Sequence, residues 1–398
     1  MLKIKEIKEL ILEYAGKWPM IIAILLSARV LGFLYLPIAL FDNAMIICIV
    51  LYLLLKGAKL NGLYVAMCVY LPLSILLSQP DPLFKSWPRL GLFILVLLFC
   101  SSLIQNEAAK RLRKGLFYGT GICCIMISVI SFVCYFLGIN YMRANSGILI
   151  SDYLTNNAGT FGGITTQSMI LGPLSGVATL FCAYFALARE DRRFWYLCVT
   201  CVGSLFFSAS RSSLIATIVG GIILLRYFSA DSNIIKRRAM PIIFLAAVTF
   251  PIWNGALSGF SQKNAERIEQ EGTVNSRSEK WRIRLEEFKD SPLYGIGFVS
   301  VSNRDYYEPS SGIIELGSSW LGILSMTGII GFLFFCRIFF RAGLNAIRYR
   351  TPEGALLAAT LALVGVHMMA EGHIFAGGSH LCFLVWLIIG CCDDYRPE

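Results

Sequence analysis

Charge is scarce. Asp, Glu, Lys and Arg make up 15% of the 398 residues, against about 25% in an average soluble domain. The apolar set (A, V, I, L, M, F, W, Y, C) reaches 56%, and mean hydropathy is +0.66. Few water-soluble folds hide that much apolar surface, and the same composition excludes disorder. Histidine is nearly missing: His367, His373 and His380 are the whole set. Their spacing straddles a predicted span end and a turn, so no metal site is expected. There is no Gly-x-x-x-x-Gly-Lys-Ser/Thr, no Gly-x-Gly-x-x-Gly leading a strand into a helix, and no Asp-x-Asp pair for a metal. No cofactor and no nucleic-acid partner are expected. The net charge of +10 reads instead as loop charge on one side of a membrane. The first 18 residues alternate charge (Lys3, Lys5, Glu6, Lys8, Glu9), which is unlike a cleavable signal.

What is present is a series of apolar runs. A spanning helix takes about 20 apolar residues. Runs fall at 19–37, 43–56, 62–78, 88–105, 115–138, 164–188, 194–209, 212–229, 239–253, 316–336, 354–371 and 377–391. The expected fold is all-α: a polytopic integral membrane protein of about twelve transmembrane helices with one large outer loop. Residues 1–253 hold spans one to nine, 254–315 the loop, and 316–398 spans ten to twelve. Arg29 interrupts the first pair of runs, and Asp42-Asn43 is the expected turn between them.

Basic residues sort by side. Twenty-two fall on one set of alternate connections, including the chain ends, and four on the opposite short ones: Lys85, Arg89, Arg143 and Arg211. Such bias sets orientation, so both termini are expected in the cytoplasm. The 254–315 loop, too long to obey that rule, carries eight basic and ten acidic residues on the outer side. Within it, Ser276-Arg277-Ser278-Glu279 fits a capping box. Trp281, Leu285 and Phe288 recur at helical spacing, and Asp290-Ser291-Pro292 ends the pattern. An amphipathic helix is expected over 277–289, lying at the outer membrane face. Arg277, Lys280 and Arg284 share one side of it, and Arg282 points elsewhere. The thirteen cysteines lie in or beside predicted spans, with none in the loop, so no disulfide framework is implied. Cys198 and Cys201 have CxxC spacing but read as buried thiols.

Arg211 is the sharpest feature. It stands in the hydroxyl-rich turn Ser208-Ala209-Ser210-Arg211-Ser212-Ser213, on the side whose short loops lack positive charge. An arginine beside a helix N-terminus suits a phosphate. Glu371, at a membrane edge, is expensive unless it is paired with an outer arginine or used chemically. His373 lies beside it.

Two further stretches carry a resemblance. Residues 291–298 read Ser-Pro-Leu-Tyr-Gly-Ile-Gly-Phe, and 317–331 read Gly-Ser-Ser-Trp-Leu-Gly-Ile-Leu-Ser-Met-Thr-Gly-Ile-Ile-Gly. With the Ser-Arg-Ser turn at 210–212 before them, their order resembles the O-antigen polymerase and ligase superfamily across about 200–331. Arg284 to Gly295 also fits the Arg-x10-Gly spacing of the polymerases. In the ligases a His opens the Thr-Gly-Ile-Ile-Gly span, and here Gly317 stands there, which favours a polymerase.

The resemblance implies a glycosyltransferase in the bacterial inner membrane, with its site on the outer face. Its partners would be an undecaprenyl pyrophosphate-linked glycan donor and acceptor, membrane lipids and a chain-length regulator protein. Arg211, Arg277 and Arg284 would hold the leaving pyrophosphate. Glu371 or His373 would act as general base. Lys280, Arg282, Arg143 and Arg89 would bind substrate. A ligase or protein-glycan transferase of the same superfamily, and more distantly a lipid-glycan flippase or another transporter, explain the spans as well. A transporter does not account for clustered arginines in a structured outer loop.

Overall fold

The computed structural model describes residues 6, 8–9, 11–34, 38–57, 59–141, 161–228, 277–308, 313–314 and 316–396. The predicted span at 239–253 and Arg143 lie outside them. Helices follow one another as α1 (Lys17–Ala28), α2 (Ile38–Leu55), α3 (Gly62–Ser78), α4 (Ser86–Cys100), α5 (Glu107–Phe136), α6 (Ser168–Ala188), α7 (Arg193–Phe207) and α8 (Arg211–Phe228). After α9 (Ser278–Asp290) come a two-residue ribbon, β1 (Tyr307–Glu308) antiparallel to β2 (Ile313–Ile314), then α10 (Ser319–Arg348), α11 (Pro352–His367) and α12 (His380–Asp394). All but α9 correspond to predicted spans. Among the described residues five helical stretches are long and apolar enough to cross a membrane: Pro82–Cys100, Glu107–Phe136, Ser168–Ala188, Arg211–Phe228 and Ser319–Arg348. The count of twelve crossings is thus not reached among the described residues, which form an all-helical bundle consistent with an integral membrane protein.

Burial sorts the helices. Leu381 to Cys392 are all buried, so α12 is apolar on every side and runs through the core. Trp386 of α12 meets Phe93 and Phe335 edge-on, and Phe93 also meets Phe298 and Phe375. By contrast Trp18, Leu55, Val69, Phe340 and Leu344 are exposed. A water-soluble surface would not leave so many large apolar side chains bare, whereas lipid accepts them.

Polar pairs gather at the two ends of the bundle. At one end Arg113 pairs with Asp394, Arg341 with Asp393, Lys114 with Glu353, and Arg189 with Glu13. Glu13 and Asp394, near the two ends of the described chain, therefore lie at the same end of the bundle. At the other end Arg29 pairs with Asp42, Arg277 with Glu371, and Arg304 with Asp81.

Three expectations change. Asp42 and Asn43 are not a turn: both lie inside α2 and accept from Arg29, which ends α1. An arginine at a helix end is satisfied more cheaply by reaching a neighbouring carboxylate than by breaking the next helix. Ser276 of the expected capping box lies outside the described residues, and the N-cap falls one residue after it. The helix opens at Ser278 with Arg277 as its N-cap residue and no side-chain cap, and Glu279 pairs with Arg282 instead. The third change concerns 316–336, which is not one straight span. Gly328 (φ 61°, ψ −172°) breaks α10, and the rings of Trp320 and Phe339 lie 5.2 Å apart. In a straight helix nineteen residues would separate them by about 28 Å. Residues 319–327 therefore fold back along 329–348.

Candidate functional site

The break in α10 exposes backbone groups that a helix would otherwise satisfy. The loop after α9 supplies their partners. Ile296 and Gly297 N–H donate to the Ser325 and Met326 carbonyls at 2.9 and 3.1 Å, and Ile329 N–H donates to the Pro292 carbonyl at 2.8 Å. Helix α3 closes the joint from outside: Tyr70 Oη donates to the Thr327 carbonyl at 2.6 Å, and Ser78 Oγ to the Gly295 carbonyl at 2.7 Å. A Cβ at Gly295 would come within 2.4 Å of the Met326 carbonyl carbon, and one at Gly328 within 2.4 Å of the Leu293 carbonyl carbon. The two sequence motifs are thus halves of one backbone joint, which anchors α9 against α10. Their glycines are required by close approach.

What the joint positions is Arg277. Its guanidinium bridges the Glu371 carboxylate and the Gly317 carbonyl, the latter at 3.3 Å. Trp281 Nε1 donates to that same carbonyl at 3.1 Å. Ser319 fixes the facing turn: its N–H donates to the Met368 and Glu371 carbonyls at 2.8 and 2.9 Å, and its Oγ accepts from His373 N–H at 3.1 Å. The sequence reading missed Ser319, although the residue lies within a quoted motif. A hydroxyl that serves only backbone groups leaves no pattern of spacing. His373 is buried, its ring against that of His367 at 5.3 Å. Burial pushes its imidazole down to about 4, so it is neutral at neutral pH. His380 is buried elsewhere, against Phe383.

Gly317 has φ +69°, and a Cβ there would lie 2.8 Å from Lys280 Cβ. Helix α9 thus occupies the space that a side chain at 317 would need.

An apolar groove of about 510 Å³ opens beside this cluster, lined by Trp281, Trp320, Leu321, Phe339, Phe340, Val366 and Met369 among others. Trp281, which lines the groove, shares the Gly317 carbonyl with Arg277, so the guanidinium lies beside a lining residue.

Arg211 reaches the same end of the bundle by helix register. Gly176 of α6 packs on Thr217 of α8 and Leu363 of α11, and Gly220 packs on the Ala359 carbonyl. Small residues let these backbones approach closely. The antiparallel register then sets Arg211 level with 368–369, just beyond His367. Arg211 is the first residue of α8, after a turn in which Ala209 has φ +50°. Ser210 Oγ bonds Ser213 Oγ at 2.7 Å. Guanidinium charge and helix N–H groups concentrate positive potential here.

The remaining predicted residues separate. Arg284 does not share a cationic face with Arg277. It is buried and paired with Glu287 at 2.8 Å, and its Nη1 also reaches the Ser300 carbonyl at 3.4 Å. The buried side of α9 is Ile283, Arg284 and Glu287, not Trp281, Leu285 and Phe288, and Leu285 is exposed. The reason is that the joint clamps α9 onto protein, where a charge can be buried when its opposite is beside it. Arg282 is exposed and pairs with Glu279 and Glu286. Lys280 packs its stem on Gly317. Arg89 lies on the first turn of α4. Cys198 and Cys201 are buried free thiols.

Comparison with known proteins agrees with the motif reading. A family model described as O-Antigen ligase matches residues 196–336, from α7 through the joint. The resemblance to the O-antigen polymerase and ligase superfamily is supported by that match, and members of the family are glycosyltransferase-like enzymes that act on lipid-linked glycans. No curated protein matches the chain.

Proposed function

We propose that the protein polymerises undecaprenyl pyrophosphate-linked oligosaccharide repeat units into O-antigen or a related surface polysaccharide, at the outer face of the bacterial inner membrane with both termini in the cytoplasm. One observation carries this reading: Arg277 shares the Gly317 carbonyl with Trp281, a lining residue of the apolar groove, at the end of the bundle that Arg211 also occupies. That arrangement fits an amphiphile with a long apolar tail and a diphosphate head.

In the reaction an acceptor sugar hydroxyl attacks the anomeric carbon of the lipid-linked donor. The C–O bond to the diphosphate breaks, and lipid pyrophosphate leaves with the electron pair. A single displacement inverts the centre. The hydroxyl proton passes to Glu371 or His373, the proton-accepting side chains of the turn held by Ser319. Arg211 and Arg277 stabilise the charge that grows on the leaving group, which lowers the barrier because they are placed beforehand. Arg284 acts through position: its pair with Glu287 holds α9, and so Arg277, in place.

The family description favours a second reading, ligation of a finished glycan to another acceptor. Against it, α9 fills the space where ligases carry a His side chain. Purified protein given lipid-linked repeat units in detergent should form longer glycans with no other acceptor. A ligase would need its own acceptor, and a transporter would form no product.

A further inference from the structure

A second cavity, of about 260 Å³, opens at the same end of the bundle and shares no lining residue with the apolar groove. Its walls are Pro80, Asp81 and Phe84 from the α3–α4 connection, and Ser300, Ser302 and Arg304 from the loop after α9. These walls are fixed before any ligand arrives. Asp81 accepts from Leu83 N–H at 2.9 Å and pairs with Arg304. The Leu83 N–H, with Arg304 beside it, holds the Asp81 carboxyl below its usual range, so it is charged at neutral pH. Ser302 Oγ donates to Glu287 at 2.8 Å. Phe84 packs edge-on against Tyr307 at 5.2 Å, and Tyr307 Oη donates to the Leu83 carbonyl at 3.1 Å.

The chemistry of this lining is specific. One carboxylate and one guanidinium cancel, so neither a phosphate nor a cation is favoured. Each is two-pronged, and adjacent hydroxyls on a ring match such prongs. Phe84 closes the floor of the pocket, buried and edge-on to Tyr307. The pair itself is exposed and adds little to folding. The volume lies under the ~300–1,000 Å³ of pockets for drug-sized ligands, which suits one ring and not a whole oligosaccharide.

We propose that this pocket is a sugar subsite holding one ring of the glycan borne by the lipid-linked substrate, and that it selects among glycans. The inference rests on the function proposed above and adds a site to it. Helix α9 supplies the spacing: Arg277 precedes its first turn, and Glu287, bonded to the pocket's Ser302, lies ten residues on, about 15 Å along the axis. A diphosphate at Arg277 would leave the pocket within reach of a short glycan.

The test compares Arg304→Ala and Asp81→Asn, the latter keeping the oxygen that caps residues 82–84, with Arg277→Ala. The probe is the lipid-free oligosaccharide released by mild acid from the lipid-linked repeat unit. With wild type, it should quench tryptophan fluorescence and inhibit polymerisation. In Arg304→Ala and Asp81→Asn, KM for the lipid-linked unit and the inhibition constant should both rise about tenfold, the worth of a hydrogen bond to a charged group, with kcat near wild type. Arg277→Ala should instead lose kcat and keep the quenching. Wild-type KM and quenching in both pocket variants, or no quenching in wild type, overturns the subsite. If wild type quenches, the pocket variants do not, and no polymer forms from any lipid-linked unit, the subsite stands and the proposed polymerase activity falls.

Discussion

Arg277 and Glu371 lie 94 positions apart in the chain, and their side chains form one ion pair across the opening of α10. The carboxylate aims the guanidinium, and the Gly317 carbonyl steadies it. Two residues that act as such a unit do not contribute additively. Arg277→Ala should lower polymerisation about 10²–10³-fold, the loss typical of one preorganised donor. Glu371→Gln should give a smaller loss. Adding it to Arg277→Ala should cost little more. Rates of purified variants in a double-mutant cycle check this, and fully additive losses would show that the two residues act separately.

Arg211 should be less replaceable. Arg211→Ala is expected to abolish long-chain polysaccharide while the protein remains in the membrane. Arg211→Lys should also fail, since a point charge does not reproduce forked recognition of a diphosphate. Polysaccharide ladders beside membrane immunoblots give the readout. Normal ladders from Arg211→Ala cells would remove the residue from the mechanism, and a reporter fusion that places 211 in the cytosol would remove the proposed orientation.

Arg284 and Glu287 should behave as structure. Both are buried, so deleting either leaves a charge without its partner, at a cost of about 3–5 kcal/mol. Arg284→Ala and Glu287→Ala should each lower the melting temperature in detergent. The pair Arg284→Met with Glu287→Leu should recover much of the loss. An inactive Arg284→Ala that melts like wild type would return Arg284 to the catalytic group.

The backbone joint predicts a glycine pattern. Gly295 (φ +76°) and Gly328 (φ +61°) face backbone atoms at 2.4 Å, whereas a Cβ at Gly221 meets nothing within 4 Å. Gly295→Ala and Gly328→Ala should reduce folded protein sharply, and Gly221→Ala should be neutral or slightly stabilising. Gly317→His should push against Lys280 and bring no gain in activity. Size-exclusion profiles and activity distinguish these outcomes, and a more active Gly317→His would argue for a ligase.

His373 gives a pH signature. Its folded value, about 4, lies below the ordinary 6.5, so the unfolded chain takes up this proton first. Its contribution to stability is complete above pH 6.5 and fades as pH falls towards 4. Melting temperature followed from pH 7 to 4 should fall less steeply in His373→Gln than in wild type. Equal slopes would show that another group carries the acid sensitivity.

The predicted runs and the observed helices agree closely because apolar length and turn chemistry are local. The run at 62–78 coincides with α3, and 194–209 and 354–371 fall within a few residues of α7 and α11. Arg211 stands out for a similar reason, as a candidate: a cation in a hydroxyl-rich turn is out of place in its own short window. The pairing of Arg284 was not, since a carboxylate three residues on looks the same whether the helix is solvated or buried. Asp81 and Arg304 were equally hidden, being 223 positions apart.

The amino-acid order alone determined an apolar, all-helical chain with membrane-length runs, and the motifs that resemble the O-antigen polymerase and ligase superfamily. Tertiary structure decided which arginine lies beside the groove's Trp281 and which is consumed in holding the fold. It also decided that two glycine motifs form one joint, and that α10 doubles back. The physical reason is that hydropathy and propensity act over a few neighbours, whereas the partner of a buried charge, or of a carbonyl freed by a broken helix, comes from wherever the chain returns.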